Sequence, residues 1–322
     1  MKTILVSGAS GIVGYGILRS LRRSGKRLRL IGTTVYSDSP AQGFCDIFEQ
    51  APPTPDADYL DWLRGMIATH RVDLIIPGIE ADMYRWSEAI GELEQDGGAK
   101  ALLNEPQLIA LCKDKWKFFE TMRQSGVSCV IETSLEPDFD KLANRFGLPF
   151  LLKPRLGFGS KGIVTVDSLA TFAAHQGKVG PLLMAQPVMG TEDEEFTTAA
   201  FGDGKGGFYA HMTLKRKLSR DGFTDRAEVV EVDDDIAQTA RELCTLFKPI
   251  GPTNFQFRRH EGALKLLEIN PRVSSATSIR TAFGYNECAM AVDYYLEGKT
   301  PRQPVIRSGR AVRYTEDLIF YS

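Results

Sequence analysis

The sequence is short of the residues that redox and soft-metal chemistry draw on. Its five cysteines (Cys45, Cys112, Cys129, Cys244, Cys288) stand far apart, with no CxxC pair. An odd count without zinc spacing argues against a disulfide framework and reads as a reduced, cytoplasmic protein. The four histidines (His70, His175, His211, His260) are scattered, which argues against a histidine-based metal site. No stretch approaches the roughly 20 apolar residues that a membrane span needs. Met1 to Val6 runs into glycines too soon for a signal peptide. An excess of one charge is missing as well. Lys+Arg 39 against Asp+Glu 41 leaves a formal net charge of −2, so no overall field draws the chain to nucleic acid or to an anionic membrane. Neither is expected as a partner.

What remains is ordinary globular composition, 43% hydrophobic and 25% charged over 322 residues. That length suits two domains, or one with a large insertion. Over the first hundred residues strands and helices alternate. Lys2–Ser7, Arg27–Val35 and Val72–Pro77 read as strands. Ile12, Ile17, Leu18 and Leu21 recur at helical spacing, and Tyr59–His70 and Ala81–Leu93 read as helices. This pattern predicts a parallel sheet with helices on its faces. Leu108–Gly126 reads as one long helix ending at a glycine cap. Beyond it the pattern becomes mixed. Strands are expected at Pro149–Lys153, Ile163–Val166 and Leu182–Gln186, and antiparallel pairs at Glu195–Phe201 with Phe208–Lys215 and Phe255–Arg258 with Ala263–Ile269.

Two glycine motifs stand out. Gly8-x-x-Gly11-x-x-Gly14 follows a strand and precedes a helix. It is either a dinucleotide site or a compact strand-to-helix turn, and its spacing is not G-x-G-x-x-G. The nearest acid for a ribose is Asp38, past the second strand. The only Tyr-x-x-x-Lys pair is Tyr295/Lys299, near the C-terminus. The second motif runs Lys153-Pro154-Arg155-Leu156-Gly157-Phe158-Gly159-Ser160-Lys161-Gly162. Here a strand delivers a lysine, and a glycine loop follows whose backbone N–H groups could fold over phosphate oxygens. Over 100 residues later, Glu268 and Asn270 alternate onto one face of a strand, and Gln256 on the paired strand can join them. Three oxygen-bearing side chains on one face suit Mg²⁺.

On these residues the chain resembles the ATP-grasp superfamily, in its carbamoyl-phosphate-synthase-like and pyrrolysine-biosynthesis-ligase-like branch. The marks are the Gly8–Gly14 turn, Lys113-Asp114-Lys115, Lys153 with Gly157–Gly162, Gln186-Pro187-Val188 before the acidic run 192–195, Asn254–Phe257, and Glu268-Ile269-Asn270-Pro271-Arg272-Val273-Ser274. The resemblance covers nearly the whole length. It implies an α/β Rossmann-like pre-ATP-grasp domain over 1–110, then an α+β ATP-grasp fold of two lobes, a small one with a glycine-rich lid over 111–187 and a large one with the metal site over 188–322. It implies ATP phosphates on Lys115 and Lys153, and a lid from Gly157 through Gly159, Ser160 and Lys161 to Gly162. Adenine would lie on the backbone of Ala185, Gln186, Pro187 and Val188, and the ribose on Glu195, with Glu194 a competitor. Mg²⁺, or Mn²⁺ in its stead, would sit on Gln256, Glu268 and Asn270. Arg272 would lie where an acyl phosphate forms. Lys215, in the basic segment 215–226, would approach the γ-phosphate, although that segment reads equally as a solvated loop.

The implied reaction is ATP-dependent joining of a small carboxylate to an amine, of amino-acid type, with release of ADP and phosphate. Arg272, Ser274, Ser275 and Arg280 could grip an anion. The acceptor is expected at the C-terminal edge of the first sheet, near Gly8–Gly14, Gly78-Ile79-Glu80 and Asp82. A homodimer fits the class. A single ATP-grasp unit and no glutaminase portion argue against carbamoyl phosphate as product. The alternatives are a non-catalytic nucleotide-binding regulator and an NAD(P)-dependent oxidoreductase built on the first glycine motif.

Overall fold

The alternation of the first hundred residues becomes a parallel sheet. β1 (Lys2–Val6), β2 (Leu28–Thr34), β3 (Ile47–Gln50), β4 (Leu74–Ile76) and β5 (Lys100–Ala101) lie in the order β3-β2-β1-β4-β5. Parallel neighbours need crossovers. These run through α1 (Ile12–Arg22), α2 (Tyr59–His70), α3 (Glu80–Glu88) and α4 (Ile90–Glu94). The two faces of the strands separate by alternation. Ile4, Val6, Leu30, Leu74 and Ile76 pack toward α1 residues Ile17, Leu18 and Leu21, whereas Leu5, Ile31 and Ile75 pack with Tyr59, Leu63 and Trp86. The computed structural model describes all residues except 96–97, 158–161, 231–233 and 321–322.

The helix expected over Leu108–Gly126 is two helices, α5 (Pro106–Lys113) and α6 (Lys115–Ser125). Asp114 breaks them. Its backbone is extended, and its carboxylate accepts from Trp116 N at 3.0 Å and Lys117 N at 3.4 Å. An aspartate there satisfies orphan N–H groups at the start of a helix. Gly126 ends α6 in the left-handed region, φ 75°, as the cap reading required.

A small antiparallel sheet follows α7 (Phe139–Phe146). β6 (Phe150–Pro154) is central, flanked by β7 (Val164–Val166) and β8 (Leu183–Pro187), and α8 (Leu169–Ala173) lies between the flanking strands in sequence. Leu142, Phe150, Leu152 and Phe172 form its core. A six-stranded antiparallel sheet completes the molecule in the order β13-β12-β9-β10-β11-β14. Its strands are β9 (Glu195–Asp203), β10 (Phe208–Leu218), β11 (Thr224–Val229), β12 (Ile250–His260), β13 (Ala263–Asn270) and β14 (Arg310–Val312). α9 (Asp234–Phe247) covers one face through Ile236, Leu243 and Cys244, which join Ala200, Phe255 and Phe257.

The last helices cross back. α10 (Thr277–Ala282) and α11 (Glu287–Glu297) run beside α1, and Cys288, Ala291 and Val292 of α11 belong to the same apolar cluster as Ile17, Leu18 and Leu21. Ser20 accepts from Asn286 Nδ2 at 2.8 Å through its carbonyl and lies 2.9 Å from Thr281 Oγ1. Among the described residues no helix is long and apolar enough to cross a membrane.

Candidate active site

The small and large sheets face each other across a cavity. β6 and β8 supply one wall. Leu151 pairs with Gln186 and Lys153 with Met184, so these four side chains share a face of the sheet, and all four line the cavity. β9, β12 and β13 supply the other wall through Glu195, Gln256, Arg258 and Glu268. Lys115 enters from the start of α6. Its ammonium donates to the Gly157 carbonyl, and its backbone N–H donates to Arg155 O at 2.9 Å. Arg155 also pairs with the capping carboxylate of Asp114 at 2.8 Å. The helix start and the beginning of the glycine loop are therefore one hydrogen-bonded unit.

Of the residues singled out in the sequence, Lys115, Lys153, Gly157, Gln186, Glu195, Gln256 and Glu268 thus meet in one cavity. Asn270 lines an adjoining chamber that shares Lys115, Gly157 and Glu268 with the first. Gly157 has φ 112° and Gly162 has φ 75°, a region open to glycine and costly for other residues. Gly159, Ser160 and Lys161 lie outside the described residues. Ala185 is not in the cavity wall. Its N–H and C=O are both taken by Ser134, at 2.8 and 2.9 Å. Pro187 and Val188 border Gln186 without lining the cavity.

The strand register decides the oxygen donors. Gln256 lies opposite Glu268, and Asn254 opposite Asn270. Asn270 Nδ2 donates to Glu268 Oε1 at 2.9 Å, and its Oδ1 accepts from Arg272 at 3.2 Å. Among the described residues no group of three or more His, Cys, Asp or Glu could hold a metal. The set available here is one carboxylate and two amide oxygens. Hard oxygen donors with a single negative charge fit a cation that keeps water and phosphate as further ligands, as Mg²⁺ does.

Glu195 lines the cavity, but it also anchors two arginines. It is 2% exposed. Oε1 accepts from Arg216 at 2.8 and 3.0 Å, and Oε2 from Arg258 at 2.9 Å. Arg216 reaches on to Gln256 Oε1 at 2.5 Å. Glu194, its competitor in sequence, points elsewhere and pairs with Lys215 at 2.6 Å. The expectation for Lys215 is corrected here. On β10 it shares a face with Lys217, which pairs with Asp193, and the inward position belongs to Arg216. Alternation along a strand makes one residue the difference between wall and surface. Arg216 and Arg258 are the functional candidates that sequence reasoning missed. Arg258 directly follows the quoted Asn254–Phe257 stretch, and Arg216 lies within the basic segment. Only the register distinguishes them from their neighbours.

Burial lowers the Lys153 ammonium to about 8. The positive charges of Arg258 and Lys115 push the same way, while Glu268 and Glu195 oppose them. Arg272 stands at the edge of the second chamber, bonded to Glu80 of α3 and to the Val273 carbonyl at 3.0 Å. Arg280 is wholly buried. It donates to Ser274 Oγ, Thr197 Oγ1 and Asn254 Oδ1 at 2.6, 2.9 and 2.8 Å, and so braces β9 and β12 behind the cavity.

The first glycine turn is tightly packed. A Cβ on Gly14 would sit 2.3 Å from Gly8 O, and one on Gly8 would sit 2.5 Å from Ile79 Cγ2. Gly8, Gly11, Thr34 and Asp82 do line a separate cavity, where Asp82 accepts from Thr54 at 2.6 Å and Tyr59 at 2.8 Å. Asp38 is exposed and absent from it. Tyr295 is packed against Gly251 and Lys299 pairs with Glu297, so the residues an oxidoreductase would need are not gathered there.

The model of a family described as ATP-grasp in the biosynthetic pathway with Ter operon matches residues 184–318. The chain is similar to the carbamoyl phosphate synthase large chain of Lachnoclostridium phytofermentans, 22% identical over 356 residues, covering 100% of this chain and 32% of that protein. The corresponding chain of Clostridium botulinum (strain Eklund 17B / Type B) is 26% identical over 234 residues, covering 62% of this chain and 21% of that one. The chain therefore spans about a third or less of the length of these relatives. N5-carboxyaminoimidazole synthetase from Staphylococcus aureus complexed with ADP superposes with a TM-score of 0.73 at 19% identity, covering 95% of this chain and 80% of that one. The biotin carboxylase domain dimer of Hydrogenobacter thermophilus 2-oxoglutarate carboxylase, in complex with MgADP, ADP and bicarbonate, does so with a TM-score of 0.72 at 16% identity, covering 96% and 73%.

Proposed function

We propose that the chain is an ATP-grasp protein and an ATP- and Mg²⁺-dependent ligase joining a small carboxylate to an amine through an acyl phosphate, a reading supported by the family model over residues 184–318 and by the fold shared with its solved neighbours. The observation that carries this reading is the convergence of Lys115, Lys153, Gln256 and Glu268 on one cavity between two sheets. On this reading residues 1–110 form a Rossmann-like pre-ATP-grasp domain, 111–187 a small lobe and 188–322 a large lobe.

Each wall has a part. Lys153 and Lys115 supply positive charge to phosphate oxygens, and the Gly157 carbonyl holds the Lys115 ammonium at the cavity. Phosphoryl transfer needs alignment and charge neutralisation more than a protein nucleophile. Gln256, Glu268 and Asn270 would hold Mg²⁺. A cation held by these residues would supply charge neutralisation to the transferring phosphoryl group. Arg272, fixed by Glu80, offers its guanidinium beside Asn270, where a carboxylate or its phosphorylated form can be gripped. The neighbours' bicarbonate complex makes a one-carbon acid worth including beside amino acids among the carboxylates tried.

The test is phosphate release from Mg-ATP against pools of carboxylates and amines. Release that requires both partners and disappears in Glu268→Ala is the expected result. Failure of the protein to bind Mg-ATP at all would sink the proposal.

A further inference from the structure

A groove of about 650 Å³ runs between α1, α10 and β14. It shares no residue with the candidate active site. From α1 it takes Ile12, Tyr15, Arg19 and Arg23, a stripe along one face of the helix about 16 Å long. From β14 it takes Ala311, Val312 and Arg313 in succession. Alternate side chains leave a strand by opposite faces, so a cavity that touches three consecutive residues reaches the strand's edge. That edge is open. Arg313 N–H donates to Asp225 O at 2.8 Å, and Val229 N–H to Gly309 O at 2.9 Å. Residues 309, 311 and 313 therefore face β11, and the N–H and C=O of Arg310 and Val312 face the other way. β14 ends the sheet, and among the described residues no strand pairs with it there. Ser219 Oγ, buried in the wall of the groove, also has no partner among the described residues.

The groove is also basic. Of the arginines on α1 and its cap, Arg22 alone meets a carboxylate among the described residues, that of Asp46. Arg19 and Arg23 are exposed, and Arg19 lies over the Phe44 ring at 5.9 Å. Arg313 donates only to carbonyls, those of Thr224 and Ser275. The one carboxylate in the wall is Asp225, 3.6 Å from Arg226 Nε. Around β14 the chain carries Lys299, Arg302, Arg307, Arg310 and Arg313 and no acid before Glu316. A second copy of β14 would therefore set like charge against like. An extended chain that bears acids meets both needs of the groove. Its backbone pairs the open edge, and its carboxylates meet the arginines. We propose that this groove takes an extended acidic segment of a partner protein, which adds as a strand beside β14. About five extended residues, at about 3.3 Å each, span the length of the α1 stripe.

The probe is a short fluorescent peptide of alternating glutamate and valine, with a lysine–valine twin, titrated with the full chain by anisotropy. The acidic peptide is expected to bind, the twin is not, and the affinity should fall as salt is added. Arg19→Glu combined with Arg23→Glu should weaken binding by about tenfold or more. Val312→Pro removes an outward N–H and leaves the bonds to β11 in place, so it should weaken binding by about threefold or more. N-methylation of the peptide at alternate residues should abolish binding in one of its two phases, which tests the edge without altering the protein. A wild-type protein that does not bind the acidic peptide, or binds the twin equally, would overturn the proposal. So would binding that the arginine variant weakens while Val312→Pro and both N-methylated peptides leave it unchanged, since the groove would then hold anions without adding a strand. An oligothymidylate that displaces the probe as well as an unlabelled acidic peptide of equal charge would mean a non-specific basic patch, and would overturn it too.

Discussion

At the scale of single residues, charges of the same kind do different work according to burial. Glu195 is enclosed by Arg216 and Arg258, whereas Glu194 and Lys215 meet with side chains 42% and 38% exposed. Glu195→Ala leaves two guanidiniums without their carboxylate and should cost about 3–5 kcal/mol. Glu194→Ala should cost no more than about 1 kcal/mol. Urea midpoints on the two variants check this, and a Glu195→Ala protein as stable as the wild type would contradict the buried network. Lys153 makes a pH prediction. Its ammonium is lost near pH 8 rather than near 10.5, so nucleotide affinity should fall as pH rises through about 8, and Lys153→Arg should flatten that profile. Folding responds in the opposite direction. Between about 8 and 10.5 the unfolded chain binds more protons at this residue than the folded one, so its contribution to stability grows with pH across that window and is absent below it. Affinity measured from pH 7 to 10 decides the first point. The residue types of this site were legible in sequence, because a lysine before a glycine loop and oxygen side chains at alternating strand positions suit phosphate and Mg²⁺ chemistry. Parity was not legible. Lys215 and Arg216 are chemically alike, and only the pairing of β10 with β9 says which of them faces in.

Elements carry a second lesson. Long apolar periodicity predicted most strands and helices to within a few residues, and Tyr59–His70 is the helix observed. The helix expected over Ala81–Leu93 is two, parted at Ala89, and another failure comes where one polar residue overrides a period. Asp114 interrupts an apolar pattern that is otherwise continuous from Leu108 to Met122, and it does so by capping α6 and bonding Arg155. The short edge strand β3, only partly buried, has too few residues to show a period of two. Asp114→Ala should remove the cap at a cost of about 1 kcal/mol. It should also weaken nucleotide binding, since the Arg155 guanidinium loses its tie to the start of α6. Asp114→Asn keeps a capping oxygen and loses the ion pair, so it should restore most of the stability and less of the binding. Thermal melts and nucleotide titrations on the pair separate the two contributions, and equal loss of both properties in both variants would contradict this division.

For the molecule as a whole, the parallel sheet is finished by residues that arrive nearly two hundred positions later. α11 covers α1 with Cys288, Ala291 and Val292. Asn104 joins the first unit to the large sheet, donating to Thr253 Oγ1 at 2.7 Å and accepting from Ile250 N at 2.9 Å. Arg272 and Glu80 tie the edge of the candidate site to α3. No local pattern announces such closure, because α11 reads as an ordinary amphipathic helix until its partner is known. Shared apolar surface of this kind makes the units unfold together rather than in turn. In a Trp116→Phe background, which removes the one tryptophan packed against the large sheet, Trp62 and Trp86 report on the first sheet, the former at its margin and the latter in its core, while far-ultraviolet dichroism reports on every helix and strand. The two signals should share one urea midpoint. Val292→Asp, which buries a carboxylate against α1, should lower that midpoint for both signals alike. A dichroism transition that moves while the fluorescence stays would mean that the first sheet holds its structure without α11, and that the ion pair between Arg272 and Glu80 joins two independent bodies.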